Sequence, residues 1–257
     1  MAFIDRNGVK LYYEVHGNGP ALLLTHGYGA SSRMWGGQIE TLAKNFQLIL
    51  WDLRGHGRSD YPSTPEAYTE EATLADMAAL LDVVAAPSAV VGGLSLGGYM
   101  SLAFHRVNPR RTRALLVIDT GPGYRSDAAR AEWNEKALKT AERFATRGLE
   151  SLKPPELQAD HRDASGLALA ARGFFMQRDA QVIDSLPTIR IPTLIVVGAE
   201  DQPFLASASY MAAKIPGAKS AIIANAGHFA NLDNPTAFNT AVANFLQESG
   251  LTAHSTG

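Results

Sequence analysis

The sequence predicts an α/β fold, a mostly parallel eight-stranded sheet flanked by helices, on three observations. Short, nearly unbroken apolar runs recur at 21–25, 47–51, 89–94, 114–118 and 193–198, as strands covered on both faces require. Helix-length segments separate most of them, the spacing of right-handed crossovers between parallel strands. Several runs end in turns bearing glycine, serine, histidine or a carboxylate, the end of an open α/β sheet where reactive groups collect.

The elements follow in order. Asn7-Gly8 between 3–5 and 9–16 is a strong hairpin signal, so the chain should open with an antiparallel pair. The run 21–25 ends in His26-Gly27-Tyr28-Gly29. A helix over 35–43 leads to a strand at 47–51, and a polar turn runs from Asp52 to Ser59, where Asp52 and Arg54 suggest a buried ion pair. The next helix, 73–84, places Leu74, Met77, Leu81 and Val84 on one face. Strand 89–94 runs into Ser95, a helix from Leu96 ends near Asn108-Pro109, and strand 114–118 ends at Asp119.

The alternation then stops. Between Gly121 and Leu186 no strand is evident; Ser126 caps a helix that stops at Gly148, Lys153-Pro154-Pro155 breaks the chain, and 167–177 reads as a second helix holding Phe174 and Phe175. Alternation resumes with strand 193–198, a helix over 203–215, strand 219–223, Gly227-His228 and a last helix over 235–248. The expected organisation is one compact domain: a core of residues 1–120 and 187–257, with a helical lid, 121–186, inserted after the sixth strand. The small polar residues 251–257 are expected to fray.

Composition excludes several functions. A net charge of −2 without a cluster of Lys and Arg argues against nucleic-acid or membrane-surface partners. RRTR at 110–113 reads as a solvated turn. The absence of cysteine excludes a thiol nucleophile and thiolate metal sites. No segment approaches the roughly 20 apolar residues of a membrane span, and residues 1–10 hold no apolar leader, so a cytoplasmic protein is expected. Histidines and carboxylates are too scattered for a metal site, and the glycine-rich turns match neither a dinucleotide nor a phosphate loop, so no metal or cofactor is expected.

Chemistry concentrates at Gly93-Leu94-Ser95-Leu96-Gly97. A serine hydroxyl is exposed at the top of a sheet only if the backbone turns from strand to helix within a residue or two, and glycines two before and two after it relieve the crowding. Asp201 and His228 follow two other predicted strands at the same end. In that arrangement His228 takes the Ser95 proton and Asp201 holds the imidazole. Backbone N–H groups of Leu96 and Tyr28 are the candidate oxyanion donors. Asp119 is the main rival for the acid and Glu200 a weaker one. His26 and His56 read as loop-shaping residues, and His16, His105, His161 and His254 lack a partner motif.

HGYG at 26–29, DLRGHGRS at 52–59, GLSLGG at 93–98, GAEDQP at 198–203 and AGH at 226–228 together resemble the α/β-hydrolase superfamily, in particular small bacterial carboxylesterases and 3-oxoadipate enol-lactonases. The resemblance implies a cofactor-free serine hydrolase acting on a small carboxylic ester or lactone through an acyl-enzyme. Related dehalogenases and epoxide hydrolases carry Asp at the position of Ser95. The alternatives are a carbon–carbon bond hydrolase, a perhydrolase or haloperoxidase-like activity of the same triad, and a non-catalytic ligand receptor. Trp133, Phe174 and Phe175 are the candidate pocket residues, and Arg125, Arg172 and Arg178 the candidate partners of a substrate carboxylate.

Overall fold

The computed structural model describes residues 2–153 and 155–252. Its eight strands are β1 (Ala2–Arg6), β2 (Val9–His16), β3 (Ala21–Thr25), β4 (Gln47–Trp51), β5 (Ala89–Leu94), β6 (Thr112–Ile118), β7 (Thr193–Gly198) and β8 (Lys219–Ile223). They form one sheet in the order β1-β2-β4-β3-β5-β6-β7-β8. Pairing is antiparallel from β1 through β2 to β4 and parallel from β4 onward. Asn7 and Gly8 both take positive φ, 57° and 83°, the backbone of a two-residue hairpin turn whose twist matches its strands.

Strand periodicity builds two cores, one on each face of the sheet. Leu23, Val91, Leu115, Val117, Ile195 and Val197 face one side, where they meet Met77, Leu80 and Leu81 of α2 (Glu70–Val83), Met100 and Phe104 of α3 (Leu96–Val107), and Met211 of the helix Gln202–Lys214. Leu22, Leu24, Val90, Leu116, Leu194 and Val196 face the other, against Leu42 of α1 (Gly36–Leu42) and Phe238, Val242, Phe245 and Leu246 of the C-terminal helix Pro235–Glu248. Alternation of apolar residues within each strand therefore supplies both layers, and the turns bearing Ser95, Asp201 and His228 are left at the carboxyl edge.

Between β6 and β7 lies a helical insertion: α4 (Asp127–Arg147), 3-10 turns at Gly148–Ser151 and Pro155–Asp160, α5 (Ser165–Arg172) and α6 (Gln181–Ser185). Ser126 accepts the Ala129 N–H as N-cap and Gly148 ends α4 at φ 63°, as the cap signals predict. α7 (Gln202–Lys214), α8 (Ala230–Asp233) and α9 (Pro235–Glu248) complete the chain.

Four readings need correction. α2 starts at Glu70, because the Thr69 side chain accepts the Ala72 N–H and caps it, so the first turn precedes the apolar stripe that marks the helix in sequence. The helix expected over 167–177 ends at Arg172; Gly173 follows at φ −105° and ψ −109°, and Phe174 and Phe175 lie in the turn beyond it. Arg54 pairs with Asp76 of α2, through Nε at 2.6 Å and a second nitrogen at 2.8 Å, and not with Asp52. Asp52 instead accepts backbone N–H bonds from Ser32 and Arg58. Leu251 is buried against the α9 side of the sheet, so fraying cannot begin there; residues 253–257 lie outside the described residues.

Candidate active site

Ser95 sits between β5 and α3 at φ 54° and ψ −116°, a backbone that non-glycine residues rarely adopt and that costs about 1–3 kcal/mol. The surroundings hold it there. Its N–H donates to Ile118 O at 2.8 Å across to β6, and its carbonyl accepts the Tyr99 N–H at 3.1 Å. A Cβ on Gly97 would lie 2.2 Å from Thr25 O, and one on Gly93 would lie 2.5 Å from the Gly97 carbonyl carbon and from Thr25 O. Backbone is on both sides of these clashes, so the glycines are a steric requirement of the turn.

His228 follows β8. Its Nδ1 is 2.9 Å from Asp201 Oδ2, and the ring stacks on Phe204 at 5.0 Å. Asp201 precedes α7 with its side chain 4% exposed, while that of His228 is 33% exposed. A carboxylate on one ring nitrogen fixes the tautomer and leaves Nε2 as the basic atom. Ser95, Leu96 and His228 line one cavity of about 370 Å³, at the small end of the range for small-molecule sites.

Asp119, the rival acid, is placed differently. It is buried; Oδ1 accepts the Gly198 N–H at 2.8 Å and Oδ2 accepts the Ala230 N–H at 3.2 Å. It therefore ties the end of β6 to the turns that carry Asp201 and His228. Burial pushes its carboxyl up to about 7, against the two N–H donors that favour its charged form.

As the first amide of α3, the Leu96 N–H has no acceptor within that helix. A Cβ on Gly27 would fall 3.5 Å from Ser95 Cβ, which sets the Gly27-Tyr28 backbone against the serine turn. The Tyr28 side chain leaves the cavity: its hydroxyl donates to Leu167 O at 2.7 Å and its ring stacks on Phe175 at 4.6 Å.

Trp133, Phe174 and Phe175 all line the cavity, together with Tyr99, Tyr124, Met176, Pro203 and Phe204. They also pack against one another and the core, since Trp133 Nε1 donates to Phe175 O at 2.9 Å and Phe174 lies 6.1 Å from the rings of Tyr68 and His56. The arginines do not reach the cavity. Arg125 pairs with Asp184 and Arg172 with Glu142, and Arg178 is not among the lining residues. Sequence reasoning also missed Phe204, Gln177, Ser207 and Lys136, all of which line the cavity. Only Lys136 had a legible signal, its spacing of one turn from Trp133 on α4.

Beneath the HGYG loop three histidine rings pack in a row, His26 to His56 at 5.2 Å and His56 to His161 at 5.7 Å. Leu53 N–H donates to His26 Nε2, so Nδ1 carries the proton and donates to Gly27 O. Gly57 N–H donates to His161 Nδ1, so its Nε2–H donates to Gly29 O. A second proton on either ring would face a backbone donor. Burial pushes His26 down to about 4 and lowers His56 and His161 as well. Below about pH 6.5 the unfolded chain therefore binds protons that the folded chain excludes, and each such histidine costs up to about 1.4 kcal/mol of stability per pH unit until its folded value is reached. Asp119, raised to about 7, takes up its proton first in the folded chain and offsets part of this loss over the same range; the three histidines outnumber it, so melting temperature should fall from pH 6.5 toward 4, and His161→Gln should flatten that fall. An unchanged slope in the variant would remove His161 from the account.

Among the described residues no group of three or more His, Cys, Asp or Glu side chains could hold a metal ion. No helix among them is long and apolar enough to cross a membrane.

The family model for the alpha/beta hydrolase family matches residues 22–241. The chain belongs to the alpha/beta hydrolase family. This alpha/beta hydrolase is 31% identical to a protein of Caulobacter sp. (strain K31) provisionally named the carbamate hydrolase RutD, over 92% of the chain and 95% of that relative. It is 29% identical to 3-oxoadipate enol-lactonase 2 of Acinetobacter baylyi, over 91% and 92% of the two chains. Among solved structures, a thermophilic esterase from Thermogutta terrifontis, solved with malate bound, superposes with a TM-score of 0.80 at 30% identity, covering 96% of this chain and 97% of that one.

Proposed function

We propose that this alpha/beta hydrolase is a serine hydrolase of small carboxylic esters or lactones. The observation that carries the reading is Ser95, held at positive φ at the carboxyl end of β5 and facing the same cavity as His228, whose Nδ1 meets Asp201. In the proposed mechanism His228 Nε2 takes the Ser95 proton as Oγ attacks the substrate carbonyl carbon. The oxyanion is held by the N–H groups of Leu96 and Tyr28, each lowering the barrier by about 3 kcal/mol by analogy with measured oxyanion donors. Collapse breaks the acyl C–O bond, and His228 returns the proton to the leaving oxygen. Water, deprotonated by His228, then attacks the acyl-enzyme and releases the acid and Ser95.

Residues 121–186 act as a lid over the core of residues 1–120 and 187–257, presenting Trp133, Phe174 and Phe175 as the apolar wall. The enol-lactonase and esterase relatives favour a lactone or ester, and the relative named as a carbamate hydrolase adds carbamates to the substrates worth testing.

The test is a panel of p-nitrophenyl acetate and butyrate, small lactones and an alkyl carbamate, run beside labelling with a fluorophosphonate and peptide mapping. Steady turnover and one phosphonyl group per chain, on Ser95, are expected. Labelling of Ser95 with a single acylation event and no turnover favours the receptor alternative; no labelling and no turnover overturns the reading.

A further inference from the structure

Among the apolar aromatic residues of the cavity stand two polar ones from the same insertion. Lys136 lines the cavity, on the same face of α4 as Trp133, and no Asp or Glu is among the lining residues. Neighbouring cations on the insertion are matched: Lys139 with Glu135, Arg125 with Asp184, Arg172 with Glu142 and Arg130 with Asp127. Among the described residues Lys136 forms no ion pair.

Gln177 lines the same cavity and is positioned by several contacts. Asn134, two residues before Lys136 on α4, accepts the Gln177 N–H and donates to the Gln177 carbonyl, both at 2.8 Å. The Gln177 side-chain oxygen accepts the Tyr124 N–H at 3.1 Å. That bond assigns the amide orientation and leaves the NH₂ group as a donor with no acceptor among the described residues. Lys136, an exposed residue, and the half-buried Gln177 thus bring an ammonium-bearing side chain and an amide NH₂ to the lining of a cavity without a carboxylate.

We propose that Lys136 and Gln177 form a subsite for an anionic group, a carboxylate, carried by the substrate on the part of the molecule away from the bond that is cleaved. The inference rests on the serine-hydrolase reading and sharpens it. The substrate is then a half-ester of a dicarboxylic acid or a carboxylate-bearing lactone. The aromatic wall accepts the intervening chain and the donors hold its far end, so binding at Lys136 fixes the position of the carbonyl relative to Ser95.

The experiment compares monomethyl glutarate with methyl pentanoate, equal in chain length and differing in charge, with p-nitrophenyl acetate as a separate check on hydrolysis. The wild type is expected to favour the half-ester in kcat/KM, and 0.5 M NaCl to shrink that preference. Lys136→Met should lower the ratio of half-ester to neutral ester by about threefold to fivefold, the effect of one ion pair at an exposed lysine. Lys136→Glu should lower it further, and Lys136→Arg should restore it in part. Turnover of p-nitrophenyl acetate with no half-ester preference, or a ratio that Lys136→Met leaves unmoved, overturns the subsite while sparing the hydrolase reading. Failure to turn over any of the three substrates overturns the subsite, and overturns the hydrolase reading too when the lactones and the carbamate are also untouched and Ser95 takes no fluorophosphonate label.

Discussion

Ser95→Ala is expected to lower kcat for p-nitrophenyl butyrate by about 10⁶, the scale on which loss of a triad serine acts in hydrolases of this chemistry. In the proposed mechanism Ser95 supplies the only covalent bond to the acyl group, so its removal would leave the Leu96 and Tyr28 donors with a substrate that nothing attacks. The fold should survive. Alanine keeps the Cβ that makes φ 54° costly at this position, so the strain stored at the turn is nearly the same in both proteins and the melting temperature should stay within a few degrees. Ser95→Gly separates the two effects: it also removes the nucleophile, yet relieves the strained backbone, and should raise the melting temperature. Turnover retained by Ser95→Ala would falsify the proposed mechanism, whereas an unfolded Ser95→Ala would be exposed by its circular dichroism before any rate was compared.

The central strands were legible because burial on both faces leaves a nearly unbroken apolar run, and the outer ones because the Asn7-Gly8 turn and the alternation with helices mark them; all eight runs, from that hairpin to 219–223, correspond to strands. The placement of Ser95, Leu96 and His228 on one cavity was legible because Ser95 and His228 each follow a parallel strand, Leu96 opens the helix after one, and topology brings those carboxyl ends together. The insertion was legible only where chain chemistry is local, as at Ser126 and Gly148, which bound α4. What it touches was not. Arg54 chose Asp76 over the nearer Asp52 because α2 delivers a buried carboxylate to the guanidinium, while the Asp52 oxygens are already occupied by backbone N–H donors. His161 looked partnerless because its partners, Gly29 and Gly57, lie about a hundred residues or more away. Lys136 was legible as one turn from Trp133 on α4, but the carboxylate-free lining it shares with Gln177 was not, because no sequence pattern records a missing carboxylate.

Asp201→Asn is expected to lower kcat by about 10⁴ with little change in stability, by analogy with the same substitution in a serine protease triad. The asparagine amide would offer its NH₂ to His228 Nδ1, which stabilises the tautomer with its proton on Nε2; the ring then cannot accept the Ser95 proton. Asp119→Asn should behave in the opposite way. One of its two oxygens becomes an NH₂ facing the N–H of either Gly198 or Ala230, and a buried donor left without an acceptor costs about 1–3 kcal/mol. That loss falls on the turns carrying Asp201 and His228, so Asp119→Asn should depress the melting temperature while lowering kcat far less than Asp201→Asn. Measuring both variants for rate and melting temperature separates the acid that orients the base from the acid that braces the sheet. A larger fall in kcat for Asp119→Asn would exchange their roles, and it would require the His228 ring to leave the carboxylate 2.9 Å from its Nδ1. The contrast is diagnostic because both side chains are buried carboxyls at the ends of adjacent strands. Only the partner distinguishes them, an imidazole for one and two backbone amides for the other.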